Sequence, residues 1–298
     1  MQNNLKISVI IPVYQDEKGL ADTVNSMLAQ DFPKQWYEII IVDNNSKDGT
    51  KQAAMELQKA YPDLIKVVHQ DQIQSSYAAR NAGVKAAKGE ICCFIDANMT
   101  ADTKYLARVL RHFENDEELD YMGCRIQVVC NGKRTLSDWY NLRYDFQIEK
   151  YFKKDHFVVT ACLSARKRVF ERVGFFDKRL ESSGDKEFGQ RVYAAGLKQH
   201  YDDSLVLFHP SRSTYASIIK KYKRIARGHA QLTHYYPDRY SYHKSERYNM
   251  HLYIPFVLLK LPIGIVSSAG KFLYRLPIDL LAAVEFKKEL RRLKNNKS

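Results

Sequence analysis

Five stretches of this 298-residue chain gather side chains able to hold a phosphate, a metal or a reacting proton. Arg80, in Ala79-Arg80-Asn81-Ala82-Gly83, carries a guanidinium fork that suits phosphate oxygens, and a structural ion pair is its other use. Asp43 opens Asp43-Asn44-Asn45-Ser46, where a carboxylate after a strand can read a nucleobase N–H or simply cap a turn. Asp96-Ala97-Asn98 offers oxygen donors of the kind that hard divalent cations prefer. Asp185 and Glu187 stand where a helix-like run begins, so they suit either proton transfer or the positive end of a helix dipole. His209 closes a short apolar run; neutral imidazole is an effective metal ligand, yet a lone His is more often structural.

The elements that must position these groups follow from the apolar pattern. Ile7 to Val13 is a continuous β-branched run closed by Pro12, as expected of a strand buried on both faces. Glu38 to Val42, Ile65 to His69 and Ile91 to Ile95 repeat that signal. Between them lie helical patterns at Gly19 to Gln30 (Leu20, Val24, Met27 and Leu28 on one face), Asp48 to Ala60 and Ser75 to Ala87. This βαβαβαβ order predicts an α/β fold with a largely parallel, doubly wound sheet, whose ligands bind beyond the carboxyl ends of the strands. Val13-Tyr14, Asp43-Asn44 and Asp96-Ala97-Asn98 each follow a strand and so share one crevice. From Thr103 to Pro210 the pattern is mixed, with strands expected at Tyr121 to Cys130, Val158 to Ser164 and Leu205 to Phe208 and a helix at Glu187 to Ala195.

Four stretches, Ser8-Val9-Ile10-Ile11-Pro12-Val13-Tyr14, Ile39-Ile40-Ile41-Val42-Asp43-Asn44-Asn45-Ser46, Ala79-Arg80-Asn81-Ala82-Gly83 and Phe94-Ile95-Asp96-Ala97-Asn98, resemble the family 2 glycosyltransferases of GT-A (Rossmann-like) fold. Ser183-Gly184-Asp185-Lys186-Glu187-Phe188 looks like a variant of that family's base segment, and the likeness runs from about Lys6 to Pro210. It implies an inverting transfer of sugar from a nucleotide donor, a UDP-sugar first, to an acceptor hydroxyl. It implies that Pro12, Val13 and Tyr14 meet the base, Tyr14 by stacking, that Asp43 accepts from it, and that Asp71 assists from the loop before the third helix. Arg80 is then near the diphosphate, Asp96 and Ala97 near the ribose, and Asp96, Asn98 and His209 around Mn²⁺ or Mg²⁺. Asp185 is the implied general base, with Glu187 the other candidate. Two positions depart from the pattern. Asn98 stands where the motif ends in Asp, and Gly184 where an acid usually precedes the base, so the metal site and the base site are both variants. Asp102 either compensates for Asn98 or caps a helix.

The tail has a different chemistry. Residues 1–210 are balanced in charge, and the whole net charge of +13 falls in residues 211–298, which hold 18 Lys and Arg against 5 Asp and Glu. Tyr215, Ile218, Ile219, Tyr222 and Ile225 keep helical spacing beside Lys220, Lys221, Lys223, Arg224 and Arg227, and Leu252 to Phe286 is apolar but broken by prolines and charges. Three organisations are open: an in-plane helical attachment to an anionic membrane surface, a span across Tyr248 to Gly270, or a separate subdomain or oligomer interface. The expected layout is a catalytic domain over 1–210, in a nucleotide-binding half (1–100) and an acceptor half (101–210), then a membrane-associating helical region over 211–298. No signal peptide opens the sequence, so the expected location is cytoplasmic, peripherally on the cytosolic face of a membrane, with a lipid-linked or cell-envelope glycan as acceptor. Basic and aromatic residues interleave from Lys220 to Arg247, the one argument for nucleic acid; the neutral charge of 1–210 argues against such a partner. A sugar-nucleotide binder without transfer activity is the remaining alternative. The five cysteines include no C-x-x-C pair and are expected to behave as small hydrophobes.

Overall fold

The computed structural model describes residues 5–130, 132, 134–241 and 265–295. β1 (Ile7–Val13) and β2 (Tyr37–Asp43) are buried along almost their whole length, as strands covered on both faces must be. With β3 (Ile65–His69) and β4 (Ile91–Phe94) they form a parallel set in the order β3-β2-β1-β4. α1 (Glu17–Leu28), α2 (Thr50–Ala60) and α3 (Ser76–Ala86) provide the crossovers. The register pairs Val13 with Asp43 and Asp43 with His69, so three strand ends carrying polar chemistry lie on one edge. α3 lies close on this set because Gly83 has no Cβ; one there would collide with Cγ2 of Ile10.

The sheet continues as β4-β7-β6-β8-β5, with β5 (Thr100–Ala101), β6 (Leu119–Val129), β7 (Leu163–Arg166) and β8 (Lys198–Pro210). Four of its seven pairings are parallel, and β7 and β5 run against their neighbours. α4 (Tyr105–Asn115), α6 (Ile148–Asp155), α7 (Lys167–Val173) and α8 (Gly184–Ala194) complete this part, while α5 (Leu136–Tyr144) falls almost wholly in a second unit. The strand expected from Val158 is shorter than its apolar run. Val158 donates its N–H to the Tyr121 hydroxyl at 3.0 Å, a 3₁₀ turn follows at Thr160–Cys162, and pairing starts only at Leu163.

Two compact units result. One comprises Met1–Asn131, Tyr144–Arg179 and Gly184–Ser211 and contains the sheet. Within it Cys92, Cys93, Cys124 and Cys162 are buried and free; burial pushes the Cys93 thiol up to about 12, which keeps it protonated and inert. The other unit comprises Gly132–Arg143, Leu180–Ser183 and Arg212–Ser298 and is built on α9 (Tyr215–Tyr235) and α10 (Ile265–Asn295). Here small residues let the two helices approach, with Ala226, Ala230, Ala282 and Ala283 packed round Phe286. Arg227 bridges Glu181 and Glu285, and the Arg275 guanidinium lies 4.6 Å from the Tyr222 ring centre. Of the span Tyr248 to Gly270, residues 248–264 lie outside the described residues. Among the described residues no helix is long and apolar enough to cross a membrane.

Candidate active site

The first edge of the site is ordered by backbone turns. Asn44 donates its N–H to the Val13 carbonyl, Gln15 (φ 51°) donates to Ser46 Oγ, and Asp16 donates to Thr50 Oγ1. These bonds fix the loops after β1 and β2 side by side, with Pro12 and Val13 ending the strand and Tyr14 half exposed beyond it. Asp43 is buried. Its Oδ1 accepts the Ser46 N–H at 3.1 Å, which is the turn role, and its Oδ2 lies 3.5 Å from Nδ1 of His69. Sequence reasoning missed His69, although a strand-ending His across from Asp43 was available as a signal. Asp71 is exposed on the loop before α3, and among the described residues it joins none of the hydrogen bonds that order this edge. That task falls to Gln74, whose Nε2 donates to the Asn44 carbonyl at 2.9 Å.

Arg80, on α3, and Asp96, after β4, form the central pair: Nη2 donates to Oδ1 at 2.6 Å. The arginine side chain is 8% exposed and the Asp96 side chain 40%, so the pair is closed on one side and open on the other. Burial pulls the guanidinium pKa down, but Asp96, Tyr77 and Asp185 more than reverse this and hold it above its ordinary value. Asp185 is therefore within electrostatic reach of Arg80. The Asp96-Ala97-Asn98 turn is tied to α1, with the Asn98 N–H on the Gly19 carbonyl and the Thr23 hydroxyl on the Asp96 carbonyl. Asn98 takes φ 74°, which Asn tolerates better than most residues. Asp102 Oδ1 accepts the Lys104 N–H at 2.8 Å, a side-chain turn just ahead of α4, whose N-cap is Lys104.

His209 reaches the same neighbourhood through the sheet. β5 and β8 pair antiparallel with Thr100 opposite Phe208, so the residue after Phe208 comes beside the turn that precedes Thr100. Its Nδ1 lies 2.6 Å from the Pro210 carbonyl oxygen, which only accepts, so Nδ1 carries a proton. As a donor set, the Asp96 carboxylate, the Asn98 amide oxygen and an imidazole nitrogen fit Mn²⁺ or Mg²⁺ in kind. Asn98 Oδ1 adds an observation: it is buried and has no hydrogen-bond partner among the described residues. The set is nonetheless sparse. Among the described residues no three His, Cys, Asp or Glu side chains gather, and Arg80 already holds one Asp96 oxygen.

Asp185 and Glu187 separate clearly. Glu187 is buried and both of its oxygens are bound by Arg191, at 3.0 and 2.8 Å. Arg191 also donates to the carbonyls of Val173, Gly174 and Phe175. Glu187 is thus the anchor of an arginine clamp, with both carboxylate oxygens tied to Arg191 one turn on in α8. Asp185 is half buried at the start of α8. The Tyr77 hydroxyl accepts the N–H of Gly184 at 2.8 Å and of Asp185 at 3.3 Å. Tyr77 was not foreseen; its place three residues before Arg80, on one helix face, was the available signal.

Among the described residues, several buried polar atoms without partners lie on the turns after β2 and β4 and on α3. Asn44 Oδ1, Ser75 Oγ, Arg80 Nε and Asn98 Oδ1 are among them. Folded proteins seldom leave such groups unsatisfied, so ordered water, an ion or a polar ligand completes them. Comparison with known proteins gives a consistent picture. Residues 8–174 match the model of "Glycosyl transferase family 2". Glycosyltransferase AglE of Haloferax volcanii is 30% identical over 226 residues, 76% of this chain and 73% of the relative. In fold, the chain is similar to the mannosyltransferase PcManGT from Pyrobaculum calidifontis, solved with GDP-Man and Mn²⁺ (TM-score 0.67, 17% identity, 94% of this chain and 86% of that one). It is likewise similar to S. aureus TarS 1-349 in complex with UDP-GlcNAc (TM-score 0.57, 18% identity, 98% and 91%).

Proposed function

The chain belongs to glycosyl transferase family 2 and is a glycosyltransferase of GT-A fold; from that premise we propose that it moves a sugar from a UDP-sugar to an acceptor hydroxyl with inversion. The observation that carries the donor assignment is the Arg80–Asp96 pair together with Asn44 Oδ1, Ser75 Oγ, Arg80 Nε and Asn98 Oδ1, buried atoms that have no partner among the described residues. A nucleotide diphosphate matches it: phosphate oxygens for the guanidinium, ribose hydroxyls for Asp96, and a base for Asn44, Ser75 and the open Tyr14 ring. Asp96, Asn98 and His209 would hold a divalent cation, which when bound spreads the charge that develops on the departing nucleotide. Because Asp96 is the one carboxylate among these three residues, a bound cation would draw on the nucleotide for further oxygens. Asp185 takes the acceptor proton as its oxygen attacks the anomeric carbon, while the sugar–phosphate bond breaks on the opposite face. Arg80, kept protonated by its neighbours, faces that leaving group.

The acceptor is proposed to be a lipid-linked or cell-envelope glycan, reached from a peripheral position on the cytosolic face of a membrane. The support is on α10. Leu280, Leu281 and Val284 are exposed, and Lys287, Lys288 and Arg291 continue the same helical face. Such a stripe suits apolar contact with acyl chains beside anionic headgroups.

The test is a thermal-shift screen of UDP- and GDP-sugars with and without Mn²⁺, followed by product analysis. A donor at about 100 times its Kd adds roughly 2.7 kcal/mol to stability. UDP-sugars are expected to stabilise the protein and to be turned over. Stabilisation by GDP-sugars alone would move the donor assignment, binding without turnover would favour the inactive-binder alternative, and no stabilisation by any sugar nucleotide would sink the reading.

A further inference from the structure

The two halves of the proposed reaction meet at one side chain. Tyr77 is buried, and its atoms divide into two sets of contacts. The phenol oxygen accepts the N–H groups of Gly184 and Asp185, which open α8 and have no intrahelical acceptor. The ring lies under the Arg80 guanidinium, 5.4 Å from carbon to centroid, and is steadied by Phe176 at 5.9 Å. The ring also explains Gly184. A Cβ at that position would stand 2.7 Å from the Tyr77 ring, so the residue before Asp185 is glycine because the tyrosine fills its space.

We infer that Tyr77 is the positioning residue for Asp185: with Gly184 it forms a complementary pair that replaces an acidic side chain before the base, and it links the base to the arginine facing the diphosphate. The inference rests on the roles proposed for Asp185 and Arg80. Its physical content is that one hydroxyl oxygen fixes the backbone carrying the carboxylate, while the ring face fixes the guanidinium. Misplacing a reacting group by about 1 Å can cost on the order of 100-fold in rate. Removing the oxygen alone and removing the whole ring should therefore have separable effects.

The experiment uses the full chain with the donor found by screening, and compares Tyr77→Phe, Tyr77→Ala and Gly184→Ala. Tyr77→Phe keeps the ring, so kcat should fall about tenfold while nucleotide Kd stays within about twofold. Tyr77→Ala should lower kcat at least as far and also weaken nucleotide binding about tenfold, through loss of the ring face under Arg80. Gly184→Ala should lower kcat in the native background but hardly at all in Tyr77→Ala, a non-additive cycle. Thermal midpoints accompany each assay, and if Tyr77→Phe does not fold, Gly184→Ala alone carries the kcat-against-Kd split. Full turnover in Tyr77→Phe, equal losses of kcat and nucleotide affinity in it, or additive effects in the cycle would each overturn the inference. Wild type and Asp185→Asn are run in parallel: if wild type transfers and Asp185→Asn does not, a normal Tyr77→Phe refutes the positioning role alone. If Asp185→Asn turns over like wild type, the underlying assignment of the base has failed instead.

Discussion

The carboxyl edge of β1, β2 and β4 and the first turn of α8 handle polar groups in opposite ways. On the turns after β2 and β4 and on the adjoining α3, Asn44 Oδ1, Ser75 Oγ, Arg80 Nε and Asn98 Oδ1 are buried without partners among the described residues. At α8 the opening N–H groups end on Tyr77 and both Glu187 oxygens end on Arg191. The first arrangement is completed by water or a ligand; the second is already paired within the folded chain. The contrast suits a reaction in which the donor arrives with its own oxygens and charge while the base must already be in place. Binding and turnover should accordingly fail separately when each region is damaged.

The largest effect is expected at Asp185. Asp185→Asn keeps the size and removes the basicity, so kcat should drop about 1000-fold, within the usual range for a general base. Nucleotide Kd should stay near its native value, since Asp185 is on the completed side. Equal losses in binding and turnover would erase the distinction between the two regions. Next comes Glu187. Glu187→Ala leaves the partly buried Arg191 without its carboxylate, a change that costs about 3 kcal/mol in comparable buried pairs. Urea unfolding should register this loss, while kcat per folded molecule holds. A selective collapse of kcat with stability intact would instead make Glu187 a reacting group.

Arg80 probes the open side. Arg80→Lys keeps a positive charge but gives up the fork that reaches Asp96, so affinity for a nucleoside diphosphate should fall about 30-fold, or roughly 2 kcal/mol. Calorimetric titration of UDP measures it, and an unchanged Kd would return Arg80 to the purely structural ion pair.

How much of this could be read beforehand depends on where the information lies. The strands β1 to β4 are continuous β-branched runs, and burial on both faces leaves no other placement for them; Ile7–Val13 and Ile65–His69 end where the apolar pattern ends. α4 buries Tyr105, Leu106, Val109, Leu110 and Phe113, a helical period that was equally open to reading. α5 is different. It buries Ser137, Asp138, Tyr140 and Asn141, and Asp138 is satisfied by Thr135 and by Ser213, 75 residues away. No local pattern announces that. The site divides along the same line. Asp43, Arg80, Asp96 and Asp185 stand in stretches whose spacing resembles a known family, whereas His69 and Tyr77 matter through contacts that cross 26 and 107 positions. Gly184 was visible as a departure but not as a consequence, because the ring that requires it comes from α3.

The smallest expected effect bears on Asn98, where the open side is weakest. Its Oδ1 has no partner among the described residues, and its Nδ2 lies 3.5 Å from Asp16 Oδ2, at the limit of a hydrogen bond. Asn98→Asp would add a second full charge beside Asp96, and a divalent cation gains from each carboxylate it meets. The same charge would also face Asp16 at the start of α1, and like charges at that distance oppose each other. Attraction to a doubly charged ion exceeds repulsion from one carboxylate in the presence of metal, and repulsion acts alone without it. Asn98→Asp should therefore lower the thermal midpoint in chelator and tighten half-saturation by Mn²⁺ about fivefold when UDP is bound, close to 1 kcal/mol. Manganese titrations of the UDP complex, read by turnover and by protein fluorescence, compare the two chains directly. A midpoint that falls equally with and without metal would mean that residue 98 belongs to the α1 cap and not to the cation, and the open side would then end at Asp96.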